Sequence, residues 1–549
     1  MEPDIHPAAR RYADECRRGA LSRREFLARA TSLGVSAAAA YGLIGLAAPR
    51  PARAQQKAVG GEIRIQSDVR ALKDPRTYDW PQMSNFSRGW LEYLVEYQRD
   101  GSITPMLLEG WEVNDDATRY TLRLRSGVTW NDGAPFTAAD VAYNIRRWCE
   151  QNVEGNSMAA RMASLIDPET GQAREGAIEV VDDLTVVLRP TTPDITLIAG
   201  FSDYPAAIVP EGFSGDPMQN PVGTGPYLPE ELSVGGRAVL VRNDEHDWWG
   251  TEVFGGPYAD RIVYIDYGTD QAAHFAAAES GEVDMVYESL GEFVDLMDTI
   301  GWTKSETVTA NTLVVRTNQQ AEIDGTTPYA DARVRRALAL AVDNAVCLEL
   351  GYAGRGRVAE NHHVCPIHPE YAELPPPEHD PEQAAALMEE AGMADFEHEL
   401  ISIDDNWRRN TSDAVAAQLR DAGIPVRRTI LPGATFWNDW TGYAFSTTDW
   451  AQRPLGVQVL ALAYRSGEAW NETGFSNAEF DAALTEALAI ADADERREVS
   501  ARLQTILQEE GVIIQPYWRS TYRHYRPGVL GAEQHPTFEI HVYKLALAA

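Results

Sequence analysis

Apolar and polar positions alternate over Gly61 to Ser67 (Glu-Ile-Arg-Ile-Gln) and over Tyr120-Thr-Leu-Arg-Leu-Arg, and each run predicts a half-buried strand. Gly89 to Tyr97 is apolar at helical spacing. Thr137 with Asp140 three residues on predicts a capped helix running to about Glu150. Further strands are expected at 180–189, 237–243, 261–267 and 283–286, with a helix over 270–281. Asn220 to Tyr227 is rich in Gly and Pro and reads as a crossover.

From about residue 310 the pattern changes to helix-and-strand alternation. A strand is expected at 313–316 and a helix at 331–347. A long Gly/Pro/His loop follows at 353–381. The Asp380-Pro381 helix comes next, with Asp as cap and Pro at the first helical position. A strand at 399–403, a helix at 410–422 and a strand at 424–430 read as a βαβ unit. Two amphipathic helices, 477–491 and 494–510, precede an apolar strand at 512–518. The shift near 310 is the best domain boundary, and no internal repeat interrupts the pattern.

The first 54 residues stand apart. Ser22-Arg23-Arg24-Glu25-Phe26-Leu27 is a twin-arginine pattern, followed by a mildly apolar run, Thr31 to Ala48, and by Ala52-Arg53-Ala54. This predicts an export segment cleaved after Ala54, with a soluble product outside the cytoplasm, in the periplasm. The competing reading is an N-terminal anchor helix. The run is short and diluted with Ala, Gly and Ser, so a membrane span is disfavoured, and direct membrane insertion is not expected. No Cys lies at the cleavage site, which speaks against a lipid anchor.

Charge narrows the partners. The chain has 48 Lys+Arg and 82 Asp+Glu, for a net charge of -34. The leader holds 9 of the basic and 5 of the acidic residues, so the rest is more acidic still. Nucleic acid and anionic membrane both need a basic footprint and are excluded as partners. A soluble monomer is expected. The 549 residues predict two or three domains. Outside the leader three cysteines remain, Cys149, Cys347 and Cys365, so at most one internal disulfide is possible, with 347 and 365 nearest in sequence.

Walker A, nucleophile-elbow and HExxH patterns are absent, and no cofactor is expected. His362, His363, Cys365 and His368 have ligand types suited to Zn, Ni or Cu, but not a recognised zinc spacing. Packed histidines in a Pro-rich loop are the plainer reading. Trp437, Trp440, Tyr443, Phe445 and Trp450 crowd one short stretch with Asp449 and Arg453. Tryptophan fills a core or lines a pocket. A small polar solute with apolar parts and a core with a surface ion pair are both open for this cluster.

Four ordered blocks carry a resemblance: Leu108 to Val141; Pro221-Val-Gly-Thr-Gly-Pro-Tyr227 with Arg242-Asn243 and Trp248-Trp249-Gly250; Asp331 to Asp343; and the Asp380-Pro381 helix with Leu419 to Ile424. Together they resemble the family 5 extracellular solute-binding proteins of ABC importers, the peptide/nickel-binding group, across residues 58 to 525. The resemblance implies a non-enzymatic α/β protein, a two-lobed periplasmic binding protein of the type II, cluster C kind with an extra third domain. Lobe I would comprise 58–83, 221–309 and 517–549, the extra domain 84–220 and lobe III 310–516. The ligand would sit in the interlobe cleft and pass to an ABC permease. Asp449 stands where relatives hold a peptide ammonium, and Arg408 or Arg409 falls where a cation meets the carboxylate. The run after Asp449, Trp450-Ala-Gln-Arg453, departs from the peptide pattern, and Arg453 is expected to take an anionic group or to neutralise Asp449. Trp80, Trp437, Trp440 and Trp450 complete the expected ligand contacts. The expected solute is peptide-like. A sugar, a cationic organic solute, or a metal chelate held by the His362 to His368 cluster are the alternatives.

Overall fold

The computed structural model describes residues 5–47, 56–114, 117–490 and 493–549; the expected cleavage after Ala54 lies outside the described residues. The chain is an α/β protein built on a twelve-stranded mixed sheet. Its main strands are β1 (Glu62–Gln66), β2 (Tyr227–Ser233), β3 (Arg237–Arg242), β4 (Arg261–Ile265), β5 (Met285–Val286), β6 (Thr303–Thr317), β7 (His398–Ile403), β8 (Val426–Leu431), β9 (Phe445–Trp450) and β10 (Tyr517–Tyr525). They lie in the order β2-β3-β4-β1-β5-β10-β6-β9-β7-β8. The long antiparallel pair β6 and β10 joins the two halves, and its register shifts between Val308 and Asn311. The expected boundary at 310 therefore falls inside one continuous strand.

One large apolar core joins strands β1, β3 and β4 to residues 86–209, including Trp90 and Trp148. Two further cores fill the second half, around Leu313, Trp407 and Phe445, and around Trp450, Leu460 and Phe480.

Local rules explain most elements. The Asp140 carboxylate accepts the Thr137 N–H at 2.8 Å and starts the Ala138–Trp148 helix, as expected. The 331–347 helix is instead two, Ala332–Leu340 and Asn344–Tyr352, because the Asp343 side chain caps a new start at Ala345 N. The 180–189 strand is a hairpin, Ile178–Asp182 with Thr185–Leu188. The helical spacing at 89–97 does not make a helix. The segment is buried throughout and ends in the strand Val95–Tyr97, and burial on all sides removes the period that distinguishes the two.

The N-terminal residues fold as three short helices, Pro7–Arg17, Arg23–Ser32 and Ala37–Leu43, around their own apolar cluster. They rest on the body. Ile103 N–H donates to Thr31 Oγ at 2.8 Å, the Trp111 indole donates to Ser32 O at 3.1 Å, and Arg24 donates to Val308 O at 3.1 Å. Arg23 is exposed. Among the described residues, no helix is long and apolar enough to cross a membrane.

Burial makes the fold acid-sensitive. It holds His368 and His398 down to about 4 and His535 down to about 3. Each ring is neutral when folded near pH 6 and takes a proton on unfolding. Their stabilisation is complete above the ordinary histidine value near 6.5 and drains away as pH falls through the folded values, by about 1.4 kcal/mol per pH unit for each. Thermal melts between pH 7 and pH 4 are expected to show a falling midpoint; a flat profile would contradict it.

Candidate functional site

A cleft of about 1060 Å³ opens between the two halves. Its second-half wall is built on β9, which pairs antiparallel with β6 (Leu313 opposite Asp449) and parallel with β7 (Ile401 opposite Ser446). Buried Glu472 holds this strand from behind. It accepts hydrogen bonds from Arg316 Nε at 2.8 Å, Thr448 Oγ1 at 2.7 Å and the Trp450 indole at 2.8 Å. Trp450 therefore faces the cleft with its polar edge already satisfied.

Six aromatic side chains run along the cleft. Trp437 touches Trp80 (ring centroids 4.0 Å apart), Trp80 touches Trp440 (6.1 Å), and Trp440 touches Trp450 (6.3 Å). Trp450 then meets Trp470 (5.9 Å), which stacks on Tyr204 (5.8 Å). All but the first of these spacings are those of offset and edge-on pairs. All six line the cleft, so the expected tryptophans meet there and are joined by Trp470 and Tyr204, which sequence reasoning missed.

A group of three ionic side chains sits at each end of this aromatic run. Beside Trp437, Arg408 lies 5.5 Å over the ring. It donates to Asp449 Oδ1 through Nε at 2.8 Å and Nη2 at 2.6 Å, and it pairs with Asp405. Asp405 also caps the Asn406–Asp421 helix through Arg408 N–H at 2.9 Å. Burial opposes the Arg408 charge, but the two carboxylates outweigh it and raise its pKa, while burial raises Asp405. This end holds two acids and one base.

At the other end Arg453 lies over Tyr204 at 5.4 Å and Trp470 at 5.6 Å. Its Nε donates to Asp203 at 2.8 Å, and Arg161 Nε donates to the same carboxylate oxygen at 2.9 Å. Burial works against the Asp203 charge, yet the two arginines hold its pKa below the ordinary value. This end holds two bases and one acid. Arg453 does not neutralise Asp449; its carboxylate comes from the 84–220 segment. At the Arg408 end Glu288 pairs with Arg519, whose guanidinium lies 3.9 Å over Trp407, so this pair adds no net charge there.

Arg409 points elsewhere, pairing with Asp404 at 3.1 Å, and does not line the cleft. The four residues of the His362 to His368 cluster do not converge. His363 bonds the Tyr464 hydroxyl at 2.7 Å, His368 accepts from Cys365 N–H at 3.0 Å, and His362 pairs with Glu360 at 3.3 Å. Three metal-ligand side chains do meet at His535, Glu539 and His541. There the carboxylates of Glu539 and Glu96 are matched by Arg88 at 3.2 Å and Lys544 at 3.4 Å, so a divalent ion would bring two unbalanced charges. The cysteines are free thiols.

The family described as "Bacterial extracellular solute-binding proteins, family 5 Middle" matches residues 102–471. The chain belongs to that family. Members are transport binding proteins rather than enzymes. Heme-binding protein A of Haemophilus influenzae is 23% identical over 478 residues, covering 81% of this chain and 84% of its own. Glutathione-binding protein GsiB of Salmonella paratyphi A is 25% identical over 501 residues, covering 86% and 91%. Two solved structures share the two-lobed fold. Haemophilus influenzae OppA, in complex with RPPGFSPFR, has a TM-score of 0.79 at 21% identity, covering 90% of this chain and 100% of its own. The Escherichia coli murein tripeptide binding protein MppA has a TM-score of 0.79 at 19% identity, covering 90% and 99%.

Proposed function

We propose that this protein is the exported substrate-binding component of an ABC importer and captures a short zwitterionic, peptide-like solute for its permease. The observation that carries the reading is the opposite charge surplus at the two ends of the aromatic run. Asp405, Arg408 and Asp449 carry an excess negative charge, suited to an ammonium. Arg161, Asp203 and Arg453 carry an excess positive charge, suited to a carboxylate. The indole faces between them suit apolar or cationic side chains. Asp449 and Arg453 are four positions apart, so their α-carbons are at most about 14 Å apart. Closing the lobes removes water and strengthens both end contacts.

Calorimetry with a dipeptide, its N-acetyl form and its C-terminal amide tests the assignment. Blocking either end is expected to weaken binding at least tenfold, about 1.4 kcal/mol. Equal affinity for the three forms would remove the zwitterion reading. The twin-arginine pattern and the absence of a cleavage-site cysteine support export to the periplasm as a lipid-free protein. Export is expected to stop when Arg23 and Arg24 are both replaced by Lys, measured by fractionation; continued export would contradict that route.

A further inference from the structure

A second cavity, of about 850 Å³, lies between the two halves beside Arg161, at the Trp470 end of the aromatic run. The Met158–Arg161 helix and residues 163–164 and 191–196 form one wall, and the Gly456–Ala463 and Ala478–Ala489 helices form the other. Its apolar surface comes from Ala163, Ala461, Leu462 and Leu488, and hydroxyls of Ser164, Thr191, Thr192 and Thr196 lie around it.

Arg465 faces this cavity without a good partner. Its side chain is 16% exposed, and its ion-pair partner, Glu468, is 4.0 Å away, at the outer limit of such a pair. Among the described residues, none accepts a hydrogen bond from its guanidinium. Water reaches its nitrogens, and a ligand carboxylate would replace that water on a fork of five donors. The nearby carboxylate of Asp194 attracts Arg465 but makes no hydrogen bond with it; its oxygens accept from Ser164 Oγ at 2.6 Å and from Thr196 N and Oγ1 at 3.0 and 2.7 Å.

We propose that this cavity is a second binding site, for a small carboxylate with a short apolar tail, whose oxygens take Arg465 while the tail covers Ala461 and Leu462. A guanidinium fork matches a carboxylate with two parallel bonds, and the apolar wall favours a hydrocarbon tail over a bare inorganic anion. Burial pushes Glu468 up to about 7, against the pull of Arg465 and Arg161 and with Asp481 adding to the rise. Below that value Glu468 is neutral and no longer competes for Arg465, leaving Asp194 as the carboxylate that attracts it. Affinity therefore rises as pH falls from 8 to 6. The site is also tied to the main cleft. Arg161 lines the second cavity and shares Asp203 with Arg453, which lines the first.

Calorimetry of the full chain with butyrate, and separately with inorganic phosphate, tests the proposal. Saturable butyrate binding is expected, stronger at pH 6 than at pH 8 and stronger than phosphate binding. Arg465→Gln should weaken it at least tenfold. Thr485→Asp, on the exposed rim, supplies a competing carboxylate without touching the core and should do the same. No saturable binding, equal binding of phosphate, or affinity unchanged in both variants would overturn it. Dipeptide binding at the main cleft is measured in the same samples, so failure of one site is distinguishable from failure of the other.

Discussion

Asp449→Asn is expected to weaken capture of a short peptide by about 100- to 4,000-fold while leaving the fold intact. Removing one partner of a desolvated, hydrogen-bonded charge pair costs about 3–5 kcal/mol, most of it from the charge left behind. In the complex that stranded charge is the ligand ammonium. In the free protein no charge is stranded, since Arg408 keeps Asp405. The amide also still offers an oxygen to Arg408. The melting temperature of the unliganded variant should therefore stay near that of the parent, while calorimetry shows the loss of affinity. Unchanged affinity would take Asp449 out of the site. Lost affinity with a collapsed melting temperature would make it a structural residue.

Glu472→Ala is expected to give the largest loss of stability, about 3–5 kcal/mol. Arg316 and Glu472 are both essentially buried, so alanine leaves a cation without its counter-charge. It also orphans the Trp450 indole and the Thr448 hydroxyl, on the strand that carries Asp449. Urea denaturation and thermal melts measure the cost. Glu472→Gln keeps an acceptor for the indole and should sit between parent and Ala variant. A parental midpoint for Glu472→Ala would mean that the carbonyls of Trp440 and Tyr443, which also bond Arg316, hold it alone.

What the sequence disclosed follows the range of the interactions. The Thr137 and Asp140 cap spans three residues and reads directly. So do the Pro381 helix start and the tryptophan-rich stretch at 437–450. The break at Asp343 is local too, and the side-chain cap that makes it was available in the residues. The 89–97 segment misleads because complete burial leaves no polar face to set a period. The charge groups were out of reach for a different reason. Arg408 meets Asp449 across 41 positions, and Arg453 meets Asp203 across 250. No spacing rule joins such partners; the sheet order does. Asp405 was the most accessible omission, since it caps the helix that carries Arg408.

The β6–β10 ribbon has a mechanical consequence. Because it lies within one sheet, continuous with the strands on either side, the two halves have no loose linker to swing on among the described residues. Opening must flex a girder, and compliance concentrates where rungs are lost, between Val308 and Asn311. Amide exchange at that step should quicken when the guest leaves, while the neighbouring rungs from Thr303 to Thr307 stay slow.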